Sequence, residues 1–211
     1  MEYIFLIIVL IFSVTIHEVA HGAVANSLGD NTAKEAGRLT LNPLKHLDPL
    51  GSVFLPLMLI FLMKITGGKG IVFGWAKPVP INPYNFRDKK YGSAKVALAG
   101  PAANFAIALI FGLGIRFLSN SFAFSQFSSL FLCFTFIVYI NLLLAVFNLL
   151  PIPPLDGSHI LFAFLPHSAD RFKIFLSQYG FFILIFVIFF LFPYLAVFIN
   201  WIFRLITGIP F

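Results

Sequence analysis

Residues 3–28 read YIFLIIVLIFSVTIHEVAHGAVANSL, an apolar run interrupted by His17-Glu18-Val19-Ala20-His21. About 20 apolar residues suffice to cross the hydrocarbon core of a bilayer. The run is therefore a membrane helix, and the polar motif lies within it. Histidines four apart on a helix differ by about 40° around the axis and ~6 Å along it. Both imidazoles can grip one tetrahedral Zn²⁺, and Glu18 between them can reach a water at the metal. Ionisable groups at membrane depth are costly and call for a functional reason. The pattern points to zinc-dependent hydrolysis inside the bilayer.

The rest of the composition agrees. Of 211 residues, 60% are hydrophobic, 29 are Phe and only 10% are charged, where soluble domains carry about 25%. Mean hydropathy is +0.97. The chain reads as an all-α polytopic membrane protein forming one domain over 1–211. The first run has no basic n-region, because Glu2 is its only early charge, so it reads as a retained helix and not a signal peptide. The net charge of +6 reports membrane topology and anionic lipid; no basic, aromatic-interleaved surface is offered to nucleic acid. A lone Cys133 excludes an intrachain disulfide and a cysteine-rich zinc site.

Five to six membrane segments are expected. After 3–28 comes a polar link, 29–48, then a short apolar segment, 50–65, with Pro56 near its middle. The polar stretch 67–92 contains Gly and Pro turn signals, and 70–81 could form extended, β-like chain. Segments follow at 93–118, 130–150 and 174–192, with Pro193 separating the last from an apolar tail, 194–206. Lys69, Lys77, Arg87, Lys89, Lys90 and Lys95 mark the 67–92 loop as cytoplasmic, whereas 119–129 carries no charge. The basic link at 29–48 then makes 50–65 a re-entrant hairpin, the alternative being an ordinary short span.

A catalytic zinc needs a third protein ligand and an open fourth position. Beyond the motif, Asp156 is the acidic residue placed at a membrane segment, just after the Pro151, Pro153 and Pro154 break. Gly157 next to it permits close backbone approach. The histidine motif, followed far downstream by Asn148-Leu149-Leu150-Pro151 and Leu155-Asp156-Gly157, resembles the site-2 proteases, which are intramembrane zinc metalloproteases. Gly100-Pro101-Ala102-Ala103-Asn104 resembles that family's middle core helix, and Gly74-Trp75-Ala76-Lys77-Pro78-Val79-Pro80 the loop of its short prokaryotic members. The resemblance covers about 5–165, within a catalytic core of about 3–165, and is to a member without a PDZ or CBS domain.

The resemblance implies one zinc per chain held by His17, His21 and Asp156, with Glu18 as the general base on the attacking water. It implies that Asn104 and Asn148 contact the substrate backbone or the developing oxyanion. The substrate would be a transmembrane segment of another membrane protein, locally unwound and added as a strand to the 67–92 loop. The setting would be a prokaryotic plasma membrane. The competing reading is a zinc-binding membrane scaffold or transporter without protease activity, which would have no need for a base between the ligands. His159, three residues after Asp156, is a candidate partner for the site, and His46 reads as part of a capped loop.

Overall fold

The computed structural model describes residues 2–54, 58, 59, 61, 62, 65, 76–118 and 128–209. Helix α1 (Glu2–Ser27) is followed by a single turn, α2 (Thr32–Glu35). Next come α3 (Gly92–Leu118), α4 (Ser128–Asn148) and α5 (Asp156–Phe164). Helix α6 (Asp170–Phe186) passes through a π-helical stretch, Val187–Leu191, into α7 (Phe192–Thr207). Among the described residues, four helical stretches are long and apolar enough to cross a membrane: Phe5–Ser27, Gly92–Leu118, Ser129–Asn148 and Asp170–Thr207. The molecule is an all-helical integral membrane protein, with no strand among the described residues.

Contacts between helices set their directions. Ser13 of α1 meets Asn104 of α3 and Asn141 of α4, while His21, two turns on, meets Val96. Helix α3 therefore runs against α1, and α4 runs with it toward the break that leads to Asp156. Ala108, Ile115, Val138, Leu142, Ile199 and Phe203 form the main core, where α3, α4 and α7 meet. A smaller core of Ala25, Phe86 and Val96 closes the other end against the loop.

Two expectations are modified. Pro193 does not end a segment: 170–207 is one continuous helix. The π-helical stretch explains why, because its wider turn relieves the clash of a proline ring with the preceding carbonyl, and Pro193 then sits in the first turn of α7. Residues 76–81 form neither strand nor helix. The strand-like reading of 70–75 lies outside the described residues, as does part of 50–65; of that segment the start, Pro49–Phe54, is a π-helical turn.

The loop is tied to the C-terminal end of α1. Asp30 accepts hydrogen bonds from the Asn82 amide at 2.7 Å, the Asn85 side chain at 2.9 Å and the Thr32 hydroxyl at 2.5 Å. Arg38 donates to the carbonyls of Lys45, Lys77 (3.0 Å) and Pro78 (3.3 Å). The Lys77 amide donates to the His46 carbonyl at 2.9 Å.

Candidate metal centre

The helix break brings Asp156 to the histidines. Gly157 packs against the end of α4 so closely that a Cβ there would lie 2.2 Å from the Leu149 carbonyl oxygen. The α5 N-terminus is thereby pressed onto the last turn of α4, and the Asp156 carboxylate is directed at α1. His17 Nε2 lies 3.0 Å from Asp156 Oδ2, His21 Nε2 lies 3.3 Å from it, and the two Nε2 atoms are 3.0 Å apart. Both histidines are buried.

These three atoms fit a cation. His21 Nδ1 lies 2.7 Å from the Val96 carbonyl, which can only accept, so that nitrogen carries the proton and Nε2 presents a lone pair. His17 Nδ1 likewise faces Asn104 Oδ1 at 2.6 Å. Asp156 Oδ2 is buried without a hydrogen-bond donor. Three acceptor atoms facing one another repel unless positive charge lies among them. A tetrahedral zinc with bonds of about 2.0–2.1 Å would hold its ligand atoms about 3.3 Å apart, close to the separations observed. Among the described residues this is the one cluster of three such side chains.

The cluster opens on a cavity of about 430 Å³. Its polar lining includes Glu18, Asn148 and His159, and its apolar lining Val79, Phe86 and Val96. Glu18 Oε2 accepts the Val79 amide at 2.8 Å, so the loop holds the carboxylate. Asn148 donates to the Leu144 carbonyl of its own helix at 2.9 Å. Asn104 is placed differently from the substrate-facing position the resemblance implied. It is fully buried behind His17, and its amide is taken up by His17, by the Ser13 carbonyl (3.2 Å) and by Asn141 Oδ1 (2.8 Å).

Ser13, Asn141 and the Val96 carbonyl were not singled out from the sequence. Ser13 and Asn141 did carry a signal, since polar side chains in membrane helices usually bond across helices. His46 is buried in the loop, its ring bonded to the Thr40 carbonyl at 2.9 Å, far in role from the cluster.

The comparisons with known proteins point the same way. Residues 122–187 match the model of peptidase family M50. The "Putative zinc metalloprotease YwhC" of Bacillus subtilis is 37% identical over 201 residues, 93% of this chain and 84% of that protein. The chain belongs to peptidase family M50. This M50 peptidase is a zinc-dependent metalloendopeptidase. It is also 35% identical over 176 residues to the "Putative zinc metalloprotease Rip2" of Mycolicibacterium smegmatis, 83% of this chain and 62% of that one. A third relative, the "Putative zinc metalloprotease MJ0611" of Methanocaldococcus jannaschii, is 36% identical over half of each chain. No solved structure matches it.

Proposed function

We propose that the chain is an intramembrane endopeptidase that cleaves a transmembrane segment of a membrane-protein substrate, with residues 3–165 as the catalytic core of a single domain. One observation carries the reading. The His17, His21 and Asp156 donors converge beside Glu18 in one cavity, the histidines and Glu18 on a helix long and apolar enough to span a bilayer. His17, His21 and Asp156 would hold the zinc. When bound, the metal supplies Lewis acidity, which polarises a carbonyl and acidifies water.

The remaining work falls to this chain's own groups. Glu18 takes a proton from the attacking water and later returns it to the departing amine. Asn148, at the cavity wall, offers its amide to the substrate backbone. The 76–82 stretch lies beside Glu18 and can pair with an extended substrate. A helical substrate must unwind first, because a helix keeps its carbonyls bonded within itself. We place the protein in a prokaryotic plasma membrane on the strength of its relatives. Residues 50–65 are read as a re-entrant hairpin, and the continuous helix 170–207 supplies the last crossing.

The scaffold or transporter reading is disfavoured by Glu18, which faces the cavity between the two histidines. The test is cleavage of a single-span reporter protein by purified enzyme in detergent. Glu18→Gln should retain about one zinc per chain and lose at least about 10²-fold in rate, the usual contribution of a positioned base. Turnover near the wild-type rate would rule out Glu18 as the base. Zinc binding with no cleavage of any membrane-spanning reporter by wild type would favour the scaffold.

A further inference from the structure

We propose that Asn104, oriented by Asn141, is a positioning residue that holds His17 in the one neutral tautomer able to bind metal. The inference rests on His17 being a zinc ligand. It follows from which partners can only accept. Asn141 Nδ2 faces the Ile137 carbonyl at 2.8 Å, and a carbonyl cannot donate, so the nitrogen end of that amide must lie there. The Ser13 hydroxyl is 2.9 Å from the same nitrogen. Asn141 therefore turns its oxygen toward Asn104, 2.8 Å away.

Asn104 meets the same constraint twice. Its nitrogen lies between the Ser13 carbonyl at 3.2 Å and Asn141 Oδ1, both of which only accept. Its oxygen is thus left for His17 Nδ1 at 2.6 Å. An amide oxygen cannot donate, so Nδ1 must carry the ring's single proton, and Nε2 keeps its lone pair for the metal. Flipping the Asn104 amide would select the opposite tautomer and close Nε2 to metal. It would also set the Asn104 oxygen against two acceptors. Both asparagines are buried, Asn104 at 0% and Asn141 at 1% exposure, where no water can repair the mismatch.

His21 needs no such chain, because a backbone carbonyl bonds its Nδ1 directly and has no second orientation. The polarity of the His17 site is thus set by two backbone carbonyls, one in α1 and one in α4, and relayed through two amides across three helices.

Zinc affinity tests this without any substrate. The full chain, purified in detergent, is titrated by competition with a chelator, and its cobalt-loaded visible spectrum is recorded. Asn104→Leu should weaken zinc about 10- to 100-fold, the usual cost of losing a partner behind a metal-bound histidine. Asn104→Asp keeps an acceptor on Nδ1 and should bind zinc within about threefold of wild type or tighter, with the tetrahedral cobalt bands intact. A merely structural role predicts the reverse order, because Asp cannot donate to the Ser13 carbonyl and adds buried charge. Wild-type affinity in Asn104→Leu, or Asn104→Asp no better than Asn104→Leu, would overturn the inference. Should Asn104→Leu fail to fold, Asn141→Leu decides: a loss of about threefold or more supports the relay, and no loss overturns it. Wild type without zinc, or Asp156→Ala binding it as wild type does, overturns the ligand set and this inference together. Zinc lost in Asp156→Ala but unaffected at both asparagines overturns the relay alone.

Discussion

Gly100 shows how closely the site is bounded at the level of single residues. A Cβ at this position would lie 2.5 Å from His21 Nε2 and 2.6 Å from His17 Nε2. Only hydrogen fits between α3 and the two imidazoles, so the small residue sets where the ligand atoms can sit. Gly100→Ala should cost at least about 10-fold in zinc affinity, because both ring nitrogens must shift by several tenths of an ångström while helix α3 persists. Chelator competition together with circular dichroism checks both halves: lost zinc with unchanged helicity is the expected outcome. Glu18 is constrained as well, since the Val79 amide holds one of its oxygens. That contact links the state of the loop to the state of the base.

The loop that follows α1 depends at the element scale on one carboxylate. Burial opposes ionisation of Asp30, but hydrogen bonds from Thr32, Asn82 and Asn85 outweigh it and hold the carboxyl below its usual range. A carboxyl with a depressed pKa in the folded state stabilises that state above its unfolded pKa of about 3.9 and loses the contribution as pH falls through the lower folded value. Asp30→Asn should therefore melt below wild type by an amount that is constant above about pH 5 and shrinks as the pH drops below about 4. Thermal melts of the two proteins across that range test the sign. A gap that widened in acid would contradict it. The C-terminal helices teach a related lesson about proline. Pro193 is tolerated within 170–207 because it follows a π-helical stretch and occupies a first turn, where its missing N–H costs little.

At the scale of the whole molecule, contacts bring the end of α1 to the start of α3. Asp30, just past α1, bonds Asn82 and Asn85, and Arg87 donates its amide to the Leu28 carbonyl at 2.8 Å. The end of α1 and the start of α3 therefore lie together, at the same end of the two helices. Single cysteines at Lys34 and Lys89, in a Cys133→Ser background, should react with an impermeant thiol reagent from the same face. Labelling from opposite faces would contradict this arrangement. The main core lies toward the other end of α3, where α4 and α7 pack on Ala108 and Ile115. The metal cluster thus sits between a tightly packed apolar end and a polar loop.

Much of this was legible in the chain. The spacing of His17, Glu18 and His21 declared metal chemistry, and hydropathy declared helices, because helix periodicity and the bilayer's thickness act locally along the sequence. The proline break marked Asp156 as the candidate third donor. Other features were decided by tertiary structure. Asn104 could face a substrate or a neighbour until packing put it behind His17, and Asn141 was one polar residue in an apolar run until α1 and α3 were set beside it. Pro193 looked like a break until the π-helical turn before it was seen. Local pattern specifies which atoms a helix carries and roughly which way they face. Only the meeting of helices decides which acceptor confronts which donor, because in a dry interior the hydrogen-bond partner of each polar group comes from a different part of the chain.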